Sequence, residues 1–223
     1  MSTTFDPYLF SQVGLDSGAL TMLGAIVHSF GEAGEYRGTV RRDQDAMATF
    51  YVTVDKACAV ADAKIDLAKL ASPANEDGGC CRDENGPRFV VHPKGYAVFH
   101  VSGGPGGYAV NVRRADENPE LKAYDSRVLQ SGDIFAGVLM RPGRYTIRNE
   151  LSDADAEVTV AYPVVGKVAY KPPPPQDVKC GETIAPRRIE LQPVQGLNFR
   201  VDAPARIRIE LLEPDDGPAP AVG

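Results

Sequence analysis

The apolar positions along the chain change period near residue 36. Before it, Leu20, Leu23, Ile26, Val27 and Phe30 recur at the spacing of one helix face. Asp16 or Ser17 stands where a cap belongs, and Gly31 where a helix would stop. The pattern predicts a short amphipathic helix. Such a helix gains most of its stability by docking. It would pack on the body of the chain or, as an arm, on a neighbouring subunit. From Tyr36 the pattern alternates. In Met47–Val54, Ala48, Phe50, Val52 and Val54 face one way, and Thr49, Tyr51 and Thr53 the other, which predicts a half-buried strand. Residues 56–71 carry both signals. Alanines at 57, 59, 61, 63, 68 and 71 favour helix, while Ile65 and Leu67 alternate with polar neighbours as in a strand. Helix is the favoured reading.

Residues 72–87 are rich in Pro, Asn, Asp and Gly and read as a loop. Short strands then follow closely: Arg88–His92, Tyr96–Ser102, Tyr108–Arg114, Val128–Gln130, Ile134–Met140, Arg144–Asn149 and Glu157–Tyr162. Turn residues separate them, including Pro93-Lys94-Gly95 and Arg141-Pro142-Gly143. Three more strands are predicted at Arg188–Gln192, Leu197–Val201 and Arg206–Leu212. The expected organisation is an arm or helix over 1–35, a β-sandwich domain over 36–170 and a Pro-rich spacer over 171–177. Strands over 178–212 complete the sheet or pair with a partner, and a disordered tail occupies 213–223.

Residues 132–162 contain a strand, a Pro-Gly-x-Tyr turn, a second strand and a final alternating strand. This resembles the closing hairpin of cupredoxin-like sandwiches; an immunoglobulin-like sandwich fits it equally well. The resemblance implies a Greek-key β-sandwich. Copper-binding members carry a Cys, a His and often a Met in and beyond this hairpin. Here Asn149 stands near the Cys position, no His follows His100 and no Met follows Met140. The resemblance therefore implies the sandwich without its copper site.

Composition narrows the functional classes. The 223 residues are 43% hydrophobic and 24% charged, which suits a folded globular chain. The net charge of −6 argues against nucleic-acid or anionic-membrane partners. Asp6, Asp16 and Ser17 interrupt the N-terminal apolar run, which fits neither a secretory signal nor a membrane span. A cytoplasmic location is expected, with the cysteines as thiols.

Candidate chemistry is sparse. Cys80 and Cys81 adjoin Arg82 in the polar loop, with His92 and His100 downstream. Thiolates and imidazoles together hold zinc or another soft metal. Vicinal cysteines do not match the usual two-residue spacing, however, and closure would draw on Cys58, Cys180 or the histidines. A thiol beside Arg82 is the redox variant of that idea. Ser102–Gly107 is glycine-rich but leads into a strand, so it reads as a hairpin loop rather than a phosphate cradle. His92, His100, Asp133 and Glu150 are the ionisable residues near strand ends that a dispersed active site would use. The favoured reading is a non-catalytic binding or assembly protein. It pairs with itself or another subunit and needs no cofactor. The alternative is a metal or thiol-redox protein built on Cys80 and Cys81 with His92 or His100.

Overall fold

The computed structural model describes residues 8, 12–72, 86–115, 124–163 and 170–217. These form strands β1 (Gly14–Asp16), β2 (Gly24–Ser29), β3 (Gly34–Arg42), β4 (Asp45–Val54), β5 (Asp62–Asp66), β6 (Arg88–Val91), β7 (Tyr96–His100), β8 (Tyr108–Arg114) and β9 (Tyr124–Asp125). They continue with β10 (Ile134–Val138), β11 (Gly143–Asn149), β12 (Asp155–Val160), β13 (Gln176–Cys180), β14 (Ile184–Ala185), β15 (Arg188–Leu191), β16 (Gly196–Val201) and β17 (Ile207–Pro214). One short helix, α1 (Leu67–Ala71), follows β5. The chain is mainly β.

The strands lie in three sheets. A seven-stranded central sheet has the order β14-β13-β16-β10-β2-β7-β5. Two five-stranded sheets have the orders β6-β4-β3-β8-β9 and β15-β12-β11-β17-β1. Side chains alternate strictly: β12 reads exposed, buried, exposed, buried along Asp155–Val160. The inward sets, including Phe50, Phe99, Phe135, Phe199 and Ile147, are fully buried in one apolar cluster. Phe50 of β4 meets Phe99 of β7 at 6.1 Å, so the first outer sheet packs on the central one.

The three sheets are two copies of one plan. The order β6-β4-β3-β8-β9 maps onto β15-β12-β11-β17-β1, and β5-β7-β2 maps onto β13-β16-β10. The strand senses match as well: β4/β6 and β12/β15 are parallel, as are β5/β7 and β13/β16. Small details repeat too. Tyr36 donates its hydroxyl to Glu32 O at 2.9 Å, and Tyr145 to Arg141 O at 2.6 Å. Two residues before each tyrosine, Gly34 (φ 153°) and Gly143 (φ 142°) take a backbone conformation that other residues resist. Ser17 Oγ accepts from Ile207 N at 2.9 Å, and Ser126 Oγ accepts from Val110 N at 2.8 Å.

The copies exchange their first strands. β1, which opens the first copy, pairs with β17 of the second, and β9, which opens the second, pairs with β8 of the first. Their central strands meet directly, with Ile26 of β2 opposite Phe135 of β10. Both side chains are fully buried. This pair lies on the pseudo-twofold axis and fuses the two halves into one sheet.

The predicted N-terminal helix is corrected, and the one expected within 56–71 is shortened. Residues 17–30 form a turn and β2. Gly18 and Gly24 weaken a helix by about 1 kcal/mol each relative to alanine. The bond from Gly24 N to Thr21 O resets the phase, so the three-to-four spacing of the leucines arises from a turn followed by a strand. Ile26 and Phe30 then point inward and Val27 outward. In 56–71 only Leu67–Ala71 is helical, capped by Asp66 Oδ1 on Ala68 N at 3.2 Å. Residues 62–66 are β5, because pairing with β7 buries Ala63 and Ile65. Tertiary burial overrides alanine propensity here.

Candidate binding face on the central sheet

One face of the central sheet packs on the two outer sheets; its other face points away from them. The strand alternation decides which residues lie there. From β2 come Ala25 and Val27, from β7 Val98 and His100, and from β10 Ile134, Ala136 and Val138; all are half-buried. β16 adds Asn198 and the exposed Arg200. The middle of this face is thus apolar. Its two margins are charged: Asp62, Lys64 and Asp66 on β5, and Asp177 and Lys179 on β13. Each margin carries both signs. Asp177 pairs with Arg200 at 3.2 Å, and Asp66 with Lys69 at 3.5 Å. At one end the face deepens into a mainly apolar depression of about 370 Å³, lined by Met22, Leu23, Ala25, Ala136, Val138, Pro175 and Leu197. Pro175 belongs to the run of four prolines, which therefore borders the face.

The candidate residues named from the sequence are scattered. Cys80 and Cys81 lie outside the described residues. His100 sits at the rim of the apolar depression, near the Asp66 carboxylate. His92 occupies the turn at the opposite end of β7, where its Nδ1 accepts from Lys94 N at 3.1 Å. Strand β7 alone spans roughly 13 Å, and the ligands of one zinc ion lie roughly 2 Å from it. His92 and His100 therefore do not share a site. Cys58 Sγ accepts from Val60 N at 3.3 Å in the turn after β4. Cys180 is fully buried; burial first, then Asp202, pushes its thiol up to about 12, far from a reactive thiolate. Among the described residues no three His, Cys, Asp or Glu side chains gather closely enough to hold a metal ion.

The dispersed ionisable residues do not converge either. Glu150 is engaged by Arg206 at 3.0 Å and Arg208 at 3.1 Å. Asp133 instead pairs with a residue that sequence reasoning passed over. Its Oδ1 lies 2.7 Å from Nδ1 of His28, and its Oδ2 accepts from Gln130 N at 2.7 Å. The imidazole stacks on Tyr124 with ring centres 3.8 Å apart. Burial first, then the nearby Asp133 and Asp125 carboxylates, raise the Tyr124 phenol well above its ordinary range. A buried carboxylate orienting an imidazole supplies two of the three groups of a hydrolytic triad. Among the described residues no hydroxyl or thiol bonds to the other ring nitrogen. The cluster links β2, β9 and the start of β10, and it braces the seam between the copies. His28 was legible only as a helical residue, and its partner is 105 positions away.

Comparison with known proteins adds no family. No family model, curated protein or solved structure matches the chain. Among the described residues no helix is long and apolar enough to cross a membrane.

Proposed function

We propose that the protein is a non-catalytic assembly subunit that associates with a second copy of itself through the outer face of its central sheet. The observation that carries this reading is the apolar centre formed by Val27, Val98, Ile134, Ala136 and Val138 between charged margins. A contiguous apolar patch rimmed by polar residues marks an interaction surface. The mixed margins favour a second copy as the partner. In a two-fold pairing the same patch meets itself, and a margin holding both Asp and Lys finds opposite charges in either orientation. We read each half as a Greek-key sandwich, because β8 returns beside the β3–β4 hairpin by a long connection through the central sheet.

Native mass spectrometry of the full chain, purified without chelator, tests this. A dimer mass with no added small mass is the expected result. A monomer at all concentrations contradicts it. A stoichiometric metal mass on each chain would favour the thiol–imidazole reading of Cys80 and Cys81 with His92 or His100 instead.

A further inference from the structure

The outer face of the sheet β6-β4-β3-β8-β9 carries an unusual set of charges. Strand alternation turns Arg37, Thr39 and Arg41 of β3 outward beside Asn111 and Arg113 of β8. The register sets Arg37 directly opposite Arg113, and Thr39 opposite Asn111. Directly opposed residues on neighbouring strands are about 5 Å apart, and like charges there repel. With Arg127 these residues line a groove of about 440 Å³.

Among the described residues, the carboxylates of this face are already committed. Glu35 binds Arg88, whose hydrogen bond holds the Glu35 carboxyl below its usual range. Asp125 binds Arg127 through both oxygens, at 2.6 to 3.1 Å. Among the described residues neither Arg37 nor Arg113 joins an ion pair. Arg41 spends one N–H on the Gln44 carbonyl at 3.0 Å. Among the described residues, two guanidinium groups thus face each other without a counter-charge, in a chain whose net charge is −6. The matching face of the second copy shows that this frame readily supplies counter-charges. There Thr146 stands opposite Glu210, and Glu150 sits between Arg206 and Arg208.

From this juxtaposition we infer that the groove between Arg37 and Arg113 binds a small oxyanion: a phosphate or sulfate group, free or on an organic ligand. Two opposed guanidinium forks present paired N–H donors in the geometry that a tetrahedral oxyanion accepts. Thr39 stands two residues further along β3, opposite Asn111, and lines the same groove, as does Arg127. Binding would replace the Arg37–Arg113 repulsion with two charge-assisted contacts. This site is separate from the self-association face and does not depend on it.

Titration calorimetry of the full chain in chloride buffer tests the inference with inorganic phosphate, sulfate and phenyl phosphate as probes. The expected result is saturable binding of one ion per chain, with a dissociation constant of about 1 mM or tighter. Arg37→Gln and Arg113→Gln should each weaken it about tenfold or more. Arg144→Gln, on the other outer sheet, should change it less than about twofold. Tighter binding of phenyl phosphate than of phosphate identifies an organic phosphate as the ligand type; equal binding identifies the free ion. Three results overturn the inference. They are the absence of saturable heat, equal losses in Arg37→Gln and Arg144→Gln, and binding only of long polyanions such as heparin or RNA. Melting of each variant in chloride controls for folding. Relief of the repulsion should leave Arg37→Gln at least as stable as the parent.

Discussion

The two outer sheets share one strand order and one register plan, yet they meet solvent differently. On the second sheet, Arg206 and Arg208 are balanced by Glu150, Asp16 and Glu210 in a connected network. On the first, Arg37 and Arg113 stand opposed without partners among the described residues. The inward residues show the reverse pattern. Leu20 and Leu129, Ser17 and Ser126, and Tyr36 and Tyr145 keep matching roles in both copies. The interior of the repeat follows the demands of packing and buried hydrogen bonds. The exteriors are free to differ, so their differences point to function rather than to fold.

The comparison breaks most visibly at the axis. Phe135→Ala should cost about 3–5 kcal/mol and Ile26→Ala about 2–5 kcal/mol, measured by urea unfolding. Both losses should appear in a single cooperative transition, because one sheet joins the halves. Two separate transitions would mean that the copies fold independently. Next in size are the exchanged strands. Ser17→Ala leaves Ile207 N–H buried without its partner, and Ser126→Ala does the same to Val110 N–H. Each should cost about 1–3 kcal/mol. Unequal costs would show that only one strand exchange carries stability.

A pH prediction separates the copies further. At the place where the first copy has Leu15, the second has Tyr124, whose buried hydroxyl has no partner. The folded phenol pKa is raised above the unfolded value of 10.0. Stability from the neutral phenol is therefore complete below pH 10 and is lost as pH rises toward the folded value. Tyr145, also raised by burial, acts in the same direction. Tyr124→Phe should be neutral or stabilising near pH 7 and should reduce the loss of stability above pH 10. Parallel melting curves for parent and variant from pH 8 to 11 would contradict this. The smallest effects are at the surface. Glu150→Gln, which strands two part-exposed arginines, should cost at most about 1 kcal/mol and less in high salt. Arg37→Gln should cost nothing.

Much of the fold was legible from the sequence. Strands β4, β7, β8, β11 and β12 announce themselves by alternation and by Gly and Pro turns. Residues 17–30 misled because a turn between two short strands mimics helical spacing. The repeat itself was hard to see. Asp16-Ser17-x-x-Leu20 recurs as Asp125-Ser126-x-x-Leu129, and Gly34-x-Tyr36 as Gly143-x-Tyr145, both displaced by 109 positions (125 − 16, 143 − 34). Those few positions are the ones with special backbone or buried hydrogen bonds. The rest of each copy needs only alternation, which leaves residue identity free. The apolar face and the arginine groove were not legible, because both depend on which strands become neighbours. The placement of Arg113 opposite Arg37 requires the register.

The self-association reading stands on the apolar centre of the central sheet, and one measurement addresses it directly. Sedimentation equilibrium would compare the parent chain with Ala136→Glu, which places a charge in that centre without touching the buried side of β10. The account predicts a dimer for the parent and a folded monomer for the variant, with an unchanged circular dichroism spectrum. A monomeric parent, or a dimer that survives Ala136→Glu undiminished, would contradict it.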